Sequence, residues 1–339
     1  MSRSQIRAGI LVTAVVLLGR ALHAGEGCDQ SCAAEAIADC DFTECSGAWE
    51  SRDRRDRLWT VTADALFLDR RDPTLAVVMF NQADTDQNLN AADFDFGIGT
   101  GFDISAVRQL DACNGVEVRY FRLGSLDSNV SVTTTPGDPL QVNTVRPLIT
   151  ETGTSIEASY ESGLDDFELT GRRQVSDWLM LLAGFRYLEL DERFQATLPG
   201  AATPFNYVAA SRNRLYGAQL GGQALLWHGC DSLSIEAVTK AGIYGNHAAQ
   251  DSVFNTSLVS LPASGVKSSV AFIGELGLSA DYRLTDRLSV RGGYQLLWVA
   301  GVALATDQLE VSDFISASGI EASGDTLYHG AFVGLEYGW

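Results

Sequence analysis

Residues 58–68 read "LWTVTADALFL". Trp59, Val61, Ala63, Ala65 and Phe67 fall on one side of an extended chain, with Thr60, Thr62 and Asp64 on the other. Successive side chains of a strand point to opposite faces, so a period of two marks a strand. One face here is large and apolar, the other small or charged. Residues 94–104, "FDFGIGTGFDI", repeat the texture, with Phe94, Phe96, Ile98, Thr100, Phe102 and Ile104 opposed to Asp95, Gly97, Gly99, Gly101 and Asp103.

The pattern recurs along the chain. Val116, Val118 and Tyr120 oppose Glu117 and Arg119; Leu233, Ile235, Ala237 and Ile243 oppose Ser234, Glu236 and Lys240. Leu276, Leu278, Ala280 and Tyr282 oppose Glu275, Ser279 and Asp281; Val290, Tyr294, Leu296 and Trp298 oppose Arg291 and Gln295. Val333, Leu335, Tyr337 and Trp339 oppose Gly334 and Glu336. Two stretches are less regular. In 155–174 the apolar parity changes between Leu164 and Phe167, and a β-bulge near Gly163–Asp166 would restore the register. In 178–190, "WLMLLAGFRYLEL", both parities are apolar and no face is assigned.

The connections alternate in length. Short turns lie at "VRQLDACN", "VSD", "HGCD" and "LTD", and longer polar segments at 71–93, 125–153, 191–211, 246–266 and 303–325. Segments of about twenty to thirty residues exceed the usual connection in a compact soluble domain. Short turns at one end and long loops at the other are the habit of outer-membrane barrels. The alternation predicts an all-β, antiparallel, up-and-down transmembrane barrel of ten strands over 58–339. A hairpin within 125–153 would make twelve.

A soluble barrel hides its apolar face, and a membrane barrel turns that face to lipid. Glycine mixed with charges of both signs on the second face favours inversion. So do aromatics near strand ends, Trp59, Trp227, Tyr282, Trp298, Tyr337 and Trp339, since amphipathic rings prefer the membrane–water boundary. The lumen-facing set is then Asp64, Asp103, Glu117, Glu168, Glu236, Glu275 and Glu336, with Arg119, Arg172, Lys240, Arg291, Gln219, Gln223 and Gln295.

The 339 residues carry a formal charge of −19, with 33 glycines and 7 prolines. Such an acidic chain repels phosphates, which excludes nucleic acid as a partner. Residues 1–24 read as a secretory signal: Arg3 and Arg7, then the apolar "AGILVTAVVLLG", then Ala24 before the cleavage point. Residues 25–57 hold Cys28, Cys32, Cys40 and Cys45 and end in the charged "ESRDRRDR". The cysteine spacing fits no zinc template, and in an exported protein disulfides are favoured. Cys113 and Cys230 fall in the short turns, so all six cysteines are expected on the periplasmic side.

With those patterns in hand, "WTVTADALFLDR", "LAGFRYLELDER" and the aromatic C-terminus resemble the β-barrel porin-7 type of bacterial outer-membrane protein over about 58–339. "GFRYLELDE" is the most specific of these elements. The terminal "GLEYGW" also resembles the signal read by the barrel assembly machinery, through Gly334, Tyr337 and Trp339, although Phe332 stands where a polar residue is usual. The resemblance implies a barrel in the bacterial outer membrane, with lipid and the assembly machinery as partners. It carries over no catalytic residue.

No nucleotide, metal-protease or serine-hydrolase motif is present, and no cofactor or metal site is read. The first functional expectation is a porin-like barrel, with a narrow cation-preferring pore for small ions or solutes. The second is a structural or surface-interaction barrel with a salt-bridged, filled lumen, because barrels of ~8 strands are filled and those of 16–18 leave channels. The third is an outer-membrane hydrolase, similar in architecture to ten-stranded proteases, drawing on His247, His329, Asp191 and Asp325 at the external rim.

Overall fold

The computed structural model describes residues 57–71, 77–81, 88–133, 135, 139–142, 150–152, 155–198, 205–229, 232–256 and 258–339. The signal, the four N-terminal cysteines and Cys230 lie outside these residues. Ten strands close into one barrel. In chain order they are β1 (Trp59–Arg70), β2 (Ile98–Gln109), β3 (Asn114–Thr133), β4 (Ser155–Ser176), β5 (Leu179–Thr197), β6 (Phe205–His228), β7 (Leu233–Thr256), β8 (Ser260–Arg283), β9 (Leu288–Val302) and β10 (Gly324–Gly338). Each pairs antiparallel with its neighbours in sequence, and β1 pairs with β10 to close the ring. Closure leaves no sheet edge where all ten strands are paired.

The short turns are built from local side-chain bonds. Asp111 Oδ1 accepts the backbone N–H groups of Cys113 and Asn114, both at 2.9 Å, and thereby closes the β2–β3 turn. The Asn114 side-chain amide, which donates to the same carboxylate at 2.9 and 3.0 Å, is the foremost of the donors that hold the Asp111 carboxyl below its ordinary value. Thr285 Oγ1 accepts the Leu288 N–H at 3.1 Å in the β8–β9 turn.

The far end departs from the expectation of five long loops. Segments 191–211 and 246–266 are mostly strand, since β5 runs to Thr197, β6 starts at Phe205, β7 runs to Thr256 and β8 starts at Ser260. Polar composition disguises these strands; their outward faces meet water, so they lack a lipid-facing apolar row. Segment 125–153 divides. β3 continues to Thr133, whereas Pro139–Val142 and Thr150–Thr152 join Val77–Asn81 and Leu89–Asn90 in a separate four-stranded sheet. The count is therefore ten, not twelve.

The parity change in β4 also has a different cause from the one expected. Pairing with β5 is continuous across Gly163–Asp166, so no bulge lies there. The irregularity is on the partner strand, between Leu123 and Leu126 of β3. In β4 one parity stays inside throughout: Ile156, Tyr160 and Leu164 in the upper half, Asp166, Glu168 and Thr170 in the lower half, all buried. What changes is the chemistry of inside and outside. The lower half turns Phe167 and Leu169 outward and exposed. The upper half has an ordinary apolar interior and water outside.

Upper tyrosines and a tryptophan mark the boundary on the outer face. Tyr120 donates to Asp165 at 2.6 Å, Tyr187 to Glu189 at 2.7 Å, and Trp298 Nε1 to Asp325 at 3.3 Å. Rings whose polar tips reach a charged belt suit the edge of a membrane. At the lower end the rings of Trp227, Tyr282, Tyr337 and Trp339 are exposed on the outer face, and Trp59 lies beside the seam.

Two expected features of the far end turn inward. Phe94 and Phe96 are buried in the upper core rather than extending the outward row of β2, which begins at Ile98. The chain bends between Phe96 and Ile98 at Gly97, whose φ of +60° favours glycine. Segment 303–323 enters the barrel mouth instead of standing outside it. Ala303, Leu304, Ala305, Leu309 and Phe314 are buried there, around a single helical turn at Gln308–Val311.

Candidate functional site

Three layers follow one another inside the barrel, two polar and, above them, one in which buried polar groups sit among apolar side chains. The lowest is a cavity of about 170 Å³, open toward the turns. Its wall includes Thr62, Asp64, Glu117, Arg172, Gln223, Glu236, Asp281, Arg291, Gln295 and Glu336, with Arg57 and Cys113 at the turn end. Arg172 donates to Glu117 at 3.0 Å and to Gln223 at 2.9 Å, and Gln223 donates to Glu236 at 2.7 Å. Arg291 stands 3.5 Å from Asp281 and 3.8 Å from Asp64.

Above the cavity lies a dense charge cluster. Arg119 donates to Asp103 and Glu168 at 2.8 Å and to Glu275 at 2.6 Å. Lys240 reaches Glu168 at 2.8 Å, and Arg186 reaches Glu275 at 2.9 Å and is also paired with Asp166. Gln219 donates to Glu168, and Tyr244 donates to Gln219 at 3.1 Å. The strand register builds the cluster. Arg119 is opposite Glu168, Glu168 is opposite Arg186, and Lys240 is opposite Glu275. Opposed cross-strand pairs lie within reach of long side chains. These charges are stable here only because each is paired, since an isolated ion in so dry a space is strongly destabilised.

The third layer is the plug. Glu192 accepts from Arg70 and from Tyr160, both at 2.6 Å, and from the Ala305 N–H at 2.9 Å. The Arg70–Glu192 pair is almost wholly buried, at 1% and 0% side-chain exposure. Asn213 exchanges two bonds with Ala303, at 2.7 and 2.8 Å. Around them runs a ladder of rings: Phe94 on Phe194 at 5.8 Å, Phe194 on Tyr207 at 6.1 Å, Tyr207 on Phe314 at 6.1 Å, Phe314 on Phe254 at 6.2 Å. The ladder ties the plug to β5, β6 and β7. Asp307, on the plug, has its carboxyl pushed up to about 6 by burial and by Glu192 nearby, against the pull of Arg70.

The fourteen residues read from the sequence as facing the lumen line this cavity or join the charge cluster. Sequence reasoning missed Arg186, which sits in the stretch without assigned faces, and Asp166, which sits where a bulge was expected. Both carry a usable signal: each shares parity with Glu168 once the register to β5 is known. Arg70, Glu192 and Asn213 were missed because they belong to the upper half, where the interior is mostly apolar and the outer face polar.

The four residues considered for hydrolysis are not brought together. His247 and His329 face outward on β7 and β10, which are separated by β8 and β9. His329 shares a 2.7 Å bond with Tyr294, Asp191 accepts from Arg212 at 2.6 Å, and Asp325 accepts from Trp298. Among the described residues no group of His, Cys, Asp and Glu has the arrangement to hold a metal ion.

No protein-family model matches the chain, and no curated protein matches it. Among solved structures it is similar to the outer-membrane protease OmpT from Escherichia coli, at 11% identity and a TM-score of 0.52, over 84% of this chain and 97% of that one. It also matches the translocator domain of the autotransporter NalP from Neisseria meningitidis, at 9% identity and a TM-score of 0.39, over 98% and 96%. The Pseudomonas putida toluene transporter TodX matches at 10% identity and a TM-score of 0.37, over 87% and 93%. The OmpT likeness shows the fold, a closed barrel of the outer-membrane kind.

Proposed function

We propose that the chain is a closed barrel of the bacterial outer membrane, which acts through its outer surface and not by passing solute. One observation carries this reading. Arg119, Arg186 and Lys240 are interlocked with Asp103, Glu168 and Glu275 across the lumen, at side-chain exposures of 10% or less. The ring ladder and the plug lie above them. A permeant ion would have to break several buried pairs and then cross an apolar layer, and both steps are costly.

The same proposal assigns Gly334, Tyr337 and Trp339 to recognition by the assembly machinery, and residues 1–24 to export. It also has residues 25–57 tied by disulfides beneath the barrel, partly capping it; the engagement of Cys113 at the cavity mouth supports this. Membership of the porin-7 type remains part of the proposal.

Planar-bilayer recording of the refolded full-length mature protein tests the reading. The expected trace is flat. Regular conductance steps would overturn it in favour of the porin-like reading, and the acidic lining then predicts cation preference.

A further inference from the structure

The outer face carries one patch that the boundary belt does not explain. Tyr294 lies four residues below Trp298 on β9, and His329 four residues below Asp325 on β10. The Tyr294 hydroxyl and His329 Nδ1 are 2.7 Å apart, and the two rings stack with their centroids 6.2 Å apart. A second polar pair thus stands beneath the Trp298–Asp325 pair, one step deeper in the wall that meets lipid. Asp69 of β1 is directly opposite His329 across the closing seam. Cβ atoms of such opposed residues lie ~4.5–5.5 Å apart.

In the Tyr120–Asp165, Tyr187–Glu189 and Trp298–Asp325 pairs the ring's donor is taken by the carboxylate it reaches. Here two groups stay open. Among the described residues His329 Nε2 has no hydrogen-bond partner, and the Asp69 carboxylate has neither a hydrogen bond nor an ion pair. Both side chains are half-buried, between the exposed apolar side chains of Phe67 and Ile98 on one side and the Tyr294 ring on the other. Ionisable groups on a lipid-facing wall are costly, and each calls for a partner. Arg71 is exposed, and its N–H bond to Leu327 at 2.8 Å holds its backbone beside the patch.

We propose that this patch binds a lipid headgroup that carries both a phosphate and a primary ammonium. With Tyr294 donating to Nδ1, Nε2–H of His329 donates to a phosphate oxygen, and Arg71 supplies the balancing charge. Asp69 accepts from the ammonium. A phosphate offers acceptors alone and an ammonium donors alone, so the two open groups are matched one to each. A headgroup with phosphate alone would leave Asp69 unpaired and be repelled by it. The inference rests on the outer surface being the working face of the barrel. The headgroup has two sources, an ethanolamine phospholipid and a glycolipid bearing the same phosphoethanolamine group.

Native mass spectrometry of the full mature chain tests the proposal, after release from nanodiscs of equimolar phosphatidylethanolamine and phosphatidylcholine. The two headgroups have equal charge, but the quaternary ammonium of the second donates no hydrogen bond. The wild-type chain should retain the ethanolamine lipid at least fivefold over the choline lipid. Asp69→Asn and His329→Gln, each checked for folding by heat-modifiable gel mobility, should bring that ratio close to one; should the first fail to fold, the second alone serves. A second arm offers lipopolysaccharide with and without phosphoethanolamine, and preference in that arm alone assigns the glycolipid. Equal retention in both arms overturns the proposal, and so does a preference that survives both substitutions. Conductance is a separate readout: a conducting barrel that keeps the preference overturns only the closed lumen, and a silent barrel without it overturns only this site.

Discussion

Trp59 and Trp339 exchange both of their backbone hydrogen bonds, at 3.0 and 2.9 Å, and so close the lower end of the barrel seam. The register above them pairs Val61 with Tyr337 and Ala63 with Leu335. The Trp339 ring lies 5.8 Å from that of Tyr337, and both are exposed on the outer face.

Deleting Trp339 removes the two seam bonds and one boundary ring. The expected outcome is a lower level of folded barrel in the outer membrane, seen as loss of the heat-modifiable band, at unchanged synthesis. Normal levels of the truncated chain would assign closure to the rest of the β1–β10 register.

Arg70→Met should destabilise the barrel by about 3–5 kcal/mol, because Glu192 would remain buried without its charge partner. Replacing both, Arg70→Met with Glu192→Leu, should recover much of that loss. Urea titration of the upper half, followed by fluorescence, gives the comparison. Equal loss in the single and double variants would show that the bonds to Tyr160 and Ala305 matter more than the ion pair.

Phe314 joins the plug to β6 and β7 through its contacts with Tyr207 and Phe254. Phe314→Ala should cost about 3–5 kcal/mol of plug docking. The effect should be local: proteolysis within 303–323 accelerates while the barrel keeps its mobility on gels. A barrel that unfolds as a whole in this variant would make plug and wall one cooperative unit.

Plug docking should weaken as pH rises from about 4 to 6. Asp307 is raised from its ordinary 3.8 to about 6 when docked, chiefly by burial. Below 3.8 it is neutral in both docked and free states and has no effect. Between the two values the free plug is ionised and the docked plug holds a proton, so each rise in pH favours release. Above 6 the penalty is complete. Hydrogen exchange of 303–312 across this range should show the trend, and Asp307→Asn should flatten it.

The outward rows of the lower barrel were legible without coordinates. A strand through lipid must be apolar on one side, and the interior then collects what remains, so alternation alone sorted Asp64 from Ala65 and Glu275 from Leu276. The closed topology was legible from alternating turns. The same alternation misled above the membrane. Where water lies outside, Tyr160 and Leu164 go in and Asp165 goes out, and a continuous strand looks like one with a bulge.

Local pattern thus determined which faces of most crossings meet lipid, β5 excepted, because the bilayer imposes the same demand on every strand. Tertiary structure decided whether the lumen is filled. The partners of Arg186, and the entry of Phe314 into the mouth, depend on register across strands and on a loop folding back over more than a hundred residues to Tyr207. Such contacts leave no period in a single strand, because what they satisfy is the space left by all ten.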